Sequence, residues 1–250
     1  MRHFILPALF LLSLSSCSTY QYITLDSPQL PKNDKNQLTF ENDTLRLTYN
    51  FTGKGGPLNV KIYNKTDQPL YVNWKKSALI RDERSTSLYN NYIMVSGAAS
   101  AASYRIGKYA ASRTNIAATV ALPEGMDFIP PSSAISKDLL NLERTGILSA
   151  EVPDTLQEKK IRETDGMQLA AYKQLHYAED QSPFHFKSYI TFSIGNNNPQ
   201  EFTETTSFYV GEVCQTHSAP ELFPLYRQQG DQLYIKVSSD IPGRPSDPAR

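Results

Sequence analysis

The 250-residue chain balances 25 Lys and Arg against 25 Asp and Glu, and its 11% aromatics are mostly Tyr and Phe, with a single Trp. That balance leaves no basic surplus to release counterions from a nucleic-acid backbone and no polybasic run for an anionic membrane surface, so no nucleic-acid partner is expected. Frequent aromatics, punctuated by 16 Pro and 12 Gly, fit short strands and many turns, which predicts a mainly β sandwich or barrel with little helix.

The chain opens Met1-Arg2-His3 and then runs apolar from Phe4 to Leu14. A charged start and an apolar run of this length have the form of a secretory segment. A helix crossing a bilayer needs about 20 residues, more than this run provides. Leu14-Ser15-Ser16-Cys17 follows at once and resembles the lipobox of bacterial lipoproteins. That resemblance implies that residues 1–16 are removed as a signal peptide and that Cys17 becomes an acylated first residue with three chains, enough for stable membrane attachment. In Gram-negative lipoproteins a residue such as Ser18 after the cysteine implies sorting to the outer membrane. The plainer alternative is an ordinary signal peptide cleaved near Ser16, with Cys17 incidental.

With Cys17 consumed by lipid, Cys214 is left alone and no intrachain disulfide is expected. It lies in the strand-like run Phe208-Tyr209-Val210-Gly211-Glu212-Val213-Cys214, as a small buried hydrophobe or as a reactive thiol.

Residues 17–37 hold Pro28, Pro31 and the polar stretch Lys32 to Gln37, which predicts a flexible tether between lipid and domain. Period-two alternation starts at residue 38: Leu38 and Phe40, a turn at Asn42-Asp43, then Leu45, Leu47, Tyr49 and Phe51, a hairpin with one buried face. Leu58, Val60 and Ile62 continue it after the turn Gly53 to Pro57; Leu70 to Trp74 and Ser77 to Ile80 read as two further strands. The segment Ile62-Tyr63-Asn64-Lys65-Thr66-Asp67-Gln68-Pro69-Leu70-Tyr71-Val72 resembles the signature of small immunoglobulin-like domains, in which a strand ends at Asn and Pro restarts its partner. Asn tolerates the turn, and Pro at a strand's first position gives up no ladder bond.

The Ala/Ser-rich stretch of residues 97–127 is expected as a long inserted loop, a small-residue helix being the alternative that Gly107 interrupts. Phe128 to Ser136 reads as an edge strand, because Pro130 and Pro131 exclude a central one. Residues 138–148 form a helical turn or a strand, and Leu156 to Arg162 a short surface helix. Phe184 to Ile194 is the clearest strand, residues 202–213 its antiparallel partner, and Gln232 to Val237 the last strand. Residues 238–250, with three prolines, are expected as a disordered tail. One domain spanning 38–237 is the simplest organisation, with a boundary near residue 150 left open.

Chemistry is sparse. His176, His185 and His217 stand isolated, without metal-ligand spacing; no nucleophile elbow or phosphate loop occurs, and no cofactor or metal is expected. Trp74 with Tyr71 and Tyr63 forms either a stacking platform for a glycan or, for Trp74, part of the core. Asp43-Thr44-Leu45 and Asp154-Thr155-Leu156 resemble the acceptor motif for O-glycosylation in the Bacteroidetes, which implies modification at Thr44 and Thr155. The chain as a whole resembles lipoproteins of that phylum carrying an immunoglobulin-like domain. The expected architecture is a lipid-tethered, immunoglobulin-like antiparallel β-sandwich. Its expected role is a non-enzymatic binding or assembly module of the cell envelope, with the membrane and an envelope protein or glycan as partners. The alternatives are a carbohydrate-active or other hydrolytic enzyme, whose carboxylates converge only on folding, and a purely structural lipoprotein.

Overall fold

Leu45, Leu47, Tyr49 and Phe51 are all buried while Arg46 is exposed, so the alternation read from sequence is a strand with one face in the core. The computed structural model describes residues 18–89, 94–106, 109–121, 125–145, 152, 156–195 and 200–237. Residues 1–16, expected as a signal segment, Cys17, Thr155 and residues 238–250, expected as a tail, lie outside the described residues.

The protein is mainly β. Four strands, β2 (Leu38–Glu41), β3 (Leu45–Asn50), β5 (Pro57–Asn64) and β11 (Ala134–Asn141), form one antiparallel sheet in the order β11-β5-β3-β2. The second sheet has ten strands: β1 (Thr19–Asp26), β4 (Gly53–Lys54), β6 (Leu70–Arg81), β7 (Arg84–Ser87), β10 (Met126–Ile129), β12 (Lys159–Arg162), β13 (Leu169–His176), β14 (His185–Ile194), β15 (Gln200–Thr216) and β16 (Gln232–Val237). Its spine is β15. Along the first half of β15 runs the order β10-β6-β14-β15; along its second half β12 and β13 take the place of β14, and β1, β16 and β4 follow on the other side.

The two sheets share one core, as layered β architectures must to bury an apolar face on each. Tyr49 and Phe51 of the smaller sheet meet Phe208 of the larger at ring-centroid distances of 5.0 and 5.4 Å. The Tyr49 hydroxyl accepts from Thr206 at 2.9 Å, and burial pushes its pKa up to about 12. A second cluster lies on the opposite face of the large sheet, where Tyr22, Cys214, Phe223 and Tyr226 pack under the chain between β15 and β16.

Several expectations are corrected. The tether does not exist over residues 19–37: β1 sits between β15 and β16, with Tyr22, Ile23 and Leu25 buried. Single-face alternation misses it because β1 is apolar on both faces, Tyr22 entering the outer cluster and Ile23 the shared core. The polar stretch that follows is an ordered turn: the Asn33 side chain accepts from the Lys35 and Gln37 amides, and Lys32 bridges Asp26 and Asp231 at 2.6 and 2.7 Å. Residues 70–81 form one strand, its register to β14 shifting between Tyr189 and Thr191 and absorbing the break read between Trp74 and Ser77. The insertion is no loop: β8 (Met94–Ile106) and β9 (Tyr109–Ala121) pair as an antiparallel hairpin, small residues notwithstanding. Pro130 and Pro131 join two edge strands, β10 and β11, in different sheets. Lys159–Arg162 pairs with β13 as a strand and forms no helix.

Asn64 closes one end of the sandwich. Its buried amide donates to the carbonyls of Gln68 (2.7 Å), Ile129 and Pro130 (both 3.2 Å), and its oxygen accepts from the Thr66 amide (3.0 Å) and hydroxyl (2.8 Å). Asn64→Ala removes all of these and is expected to cost about 2–4 kcal/mol in urea unfolding. Ile23→Ala is expected to cost about 2–5 kcal/mol by the same measurement, whereas a residue in a tether would be silent.

Candidate functional site

Parity along the strands decides the aromatic platform. On β6 Tyr71 and Trp74 fall on opposite faces: Trp74 is 1% exposed inside the core, and Tyr71 points outward. Tyr63 lies on the outer face of the other sheet. The three rings therefore make no common surface. Instead the Trp74 indole donates to Asp127 at 2.7 Å, and Lys137, which also pairs with Asp127 at 2.6 Å, lies 5.0 Å from the Trp74 ring.

Tyr63 belongs to a different constellation. A shallow groove of about 410 Å³ runs over the outer face of β2, β3 and β5, lined by Asn33, Gln37, Glu41, Arg46, Lys61 and Tyr63 among others. The register builds it, since Arg46 sits opposite both Glu41 and Tyr63. The Arg46 guanidinium donates to both Glu41 oxygens at 2.6 and 3.1 Å and lies 5.9 Å from the Tyr63 ring centre; Lys65 reaches Glu41 at 2.9 Å. Hydrogen bonds from Arg46 and then Lys65 hold the Glu41 carboxyl down to about 2. A carboxylate kept ionised in this way cannot act as a general acid near neutral pH. The groove offers donors, acceptors and one ring edge for a neutral polar ligand. Sequence reasoning missed it, although outward positions of paired strands carry the signal.

A second surface was also missed. On edge strand β10, Met126 and Phe128 are 46% and 53% exposed, and Phe128 packs on Tyr71 at 5.4 Å. Among the described residues β10 pairs only with β6, which leaves its other edge open. An open edge bearing apolar side chains is a template for an added strand.

The other marked residues are dispersed. Thr44 lies half-buried in the β2–β3 turn, its amide bonded to Asn42. His185 is exposed on β14, His176 faces Glu212 at 3.2 Å, and His217 lies near Thr19. Among the described residues no group of His, Cys, Asp and Glu is arranged to hold a metal, and no helix is long and apolar enough to cross a membrane. Cys214 is buried; its pKa is pushed up first by burial and then by Glu212, so it is a poor nucleophile.

Compared with known proteins, the chain matches no protein family, no curated protein and no solved structure.

The ion pairs of Glu41 persist above its ordinary value of 4.5 and are lost as pH falls through about 2. An NMR pH titration is expected to place the Glu41 midpoint near 2 in the wild type and to move it toward 4.5 in Arg46→Met.

Proposed function

We propose that this protein is an envelope lipoprotein, anchored through Cys17 and presenting its β domain as a non-enzymatic binding or assembly module. The observation that carries the anchoring is the order of residues 1–26: basic residue, apolar run, Leu14-Ser15-Ser16-Cys17, and then, after Ser18, the first described strand. A removable segment fits that order, because the described pairing of β1 begins at Thr19. The sandwich belongs with this proposal as an immunoglobulin-like one, supported by the Asn64–Pro69 turn between β5 and β6.

A binding role is supported by the open, apolar edge of β10. A partner that adds an extended segment there gains main-chain hydrogen bonds and covers Phe128 and Met126. The outer membrane, sorted to through Ser18, is the proposed location.

A palmitate analogue is expected to label the wild type and not Cys17→Ala; equal labelling overturns the anchor. A photo-crosslinking residue at 128 is expected to give a discrete adduct in the native envelope, and the same residue at Lys187, exposed on β14, none. Identical smears from both positions count against the β10 edge.

A further inference from the structure

The register of the large sheet defines what lies beside the start of β1. Tyr20 of β1 and Tyr172 of β13 both pair with Thr216 of β15, one on each side, so β1 and β13 run parallel and level with one another. Three residues before Tyr20 comes Cys17; three residues before Tyr172 comes Leu169. Two strand spacings, about 10 Å, separate those two lines of chain. The β12–β13 turn therefore projects past the level of Ser18, the first described residue and the one that follows Cys17 in sequence.

That turn presents large apolar side chains. Met167 is 83% and Leu169 62% exposed, the two highest values among the large hydrophobic residues described. The turn is also held in place. Thr164 bonds through its amide (3.0 Å) and hydroxyl (2.8 Å) to the Leu222 carbonyl, Glu163 accepts from Ser218 at 2.7 Å, and the Glu163 amide bonds to the Gln168 carbonyl at 2.9 Å. Ser218 in turn accepts, through its carbonyl, from the Tyr22 hydroxyl at 2.8 Å. A braced turn loses little conformational freedom when its side chains are buried elsewhere. Among the described residues nothing covers Met167 and Leu169, and two charged groups beside them are engaged within the turn: Asp165 accepts from the Met167 amide, and Arg162 donates to the Gly166 carbonyl.

We infer that the β12–β13 turn is a second membrane contact, with Met167 and Leu169 inserted into the interfacial region of the bilayer that holds the Cys17 acyl chains. This contact rests on the anchoring proposed above. Acyl chains alone leave the domain free to pivot about one point. Two inserted side chains about 10 Å away fix its tilt. Partly exposed Tyr20 and Tyr234, whose rings lie 6.3 Å apart near the same end, suit the headgroup level, where tyrosine is favoured.

The test uses the full lipidated chain in phosphatidylcholine–phosphatidylethanolamine vesicles, with a bimane fluorophore at Met167→Cys, Leu169→Cys or, as a control far from that end, Phe128→Cys. Cys214 is buried and does not compete for the label. Lipids carrying a shallow doxyl quencher are expected to quench the labels at 167 and 169 several-fold more than the label at 128. Equal quenching at all three positions overturns the contact. So does weak quenching in vesicles together with shielding of 167 from an aqueous quencher in the native envelope, which assigns the turn to a protein partner. Intact mass of the same samples reads the anchor separately: acylated protein without quenching at 167 refutes the membrane contact alone, and unacylated protein refutes both.

Discussion

Asn64 stands where the chain passes from one sheet to the other, and a single side chain there serves both crossings at that end. Its amide reaches the carbonyls of Ile129 and Pro130, where β10 leaves the large sheet for β11, and that of Gln68, where β5 hands over to β6. A backbone carbonyl shielded from water at such a crossing, as that of Ile129 is, needs a donor. Asn is short, carries two donors and an acceptor, and can meet that need within one turn. Asn64 thus ties the end of β10, the start of β11 and the β5–β6 turn to one another.

Away from that end, the large sheet is organised by β15, whose 17 residues serve two sets of neighbours in succession. Its first half belongs to the sandwich proper, facing Tyr49 and Phe51. Its second half is covered on both faces, by the shared core and by the tyrosine-rich cluster under the β15–β16 connection. This double burial encloses Cys214 as a free thiol. It also separates the molecule's two surfaces of interest, because the apolar edge of β10 and the β12–β13 turn lie toward opposite ends of one long strand.

Where one face of a strand meets water, sequence and structure agree closely: β3 and β5 alternate cleanly, β14 does so up to Ile190, and β16 falls on Gln232–Val237 as expected. Where both faces are buried the periodicity vanishes, and β1 looked like linker because Thr19-Tyr20-Gln21-Tyr22-Ile23-Thr24 mixes polar and apolar residues on both faces. Lys159–Arg162 looked helical because its charges suit a surface helix, whereas pairing with β13 decides its conformation. The groove at Glu41, Arg46 and Tyr63 depends on register across three strands, which no single segment contains. Parity alone would have separated Trp74 from Tyr71, since three residues along a strand reverse the face.

The place of β1 bears on how the protein comes into being. Tyr22 bonds to a carbonyl 196 residues away, and the two strands flanking β1 are the last two among the described residues. As the chain emerges from its amino end, this two-faced apolar strand has no partner until nearly everything else has been delivered. Contacts so distant in sequence make folding slow, and the unpaired strand is meanwhile prone to aggregate. The protein thus depends on protection of its earliest segment until its latest arrives, and truncation at the carboxyl end strands β1 as surely as a mutation within it.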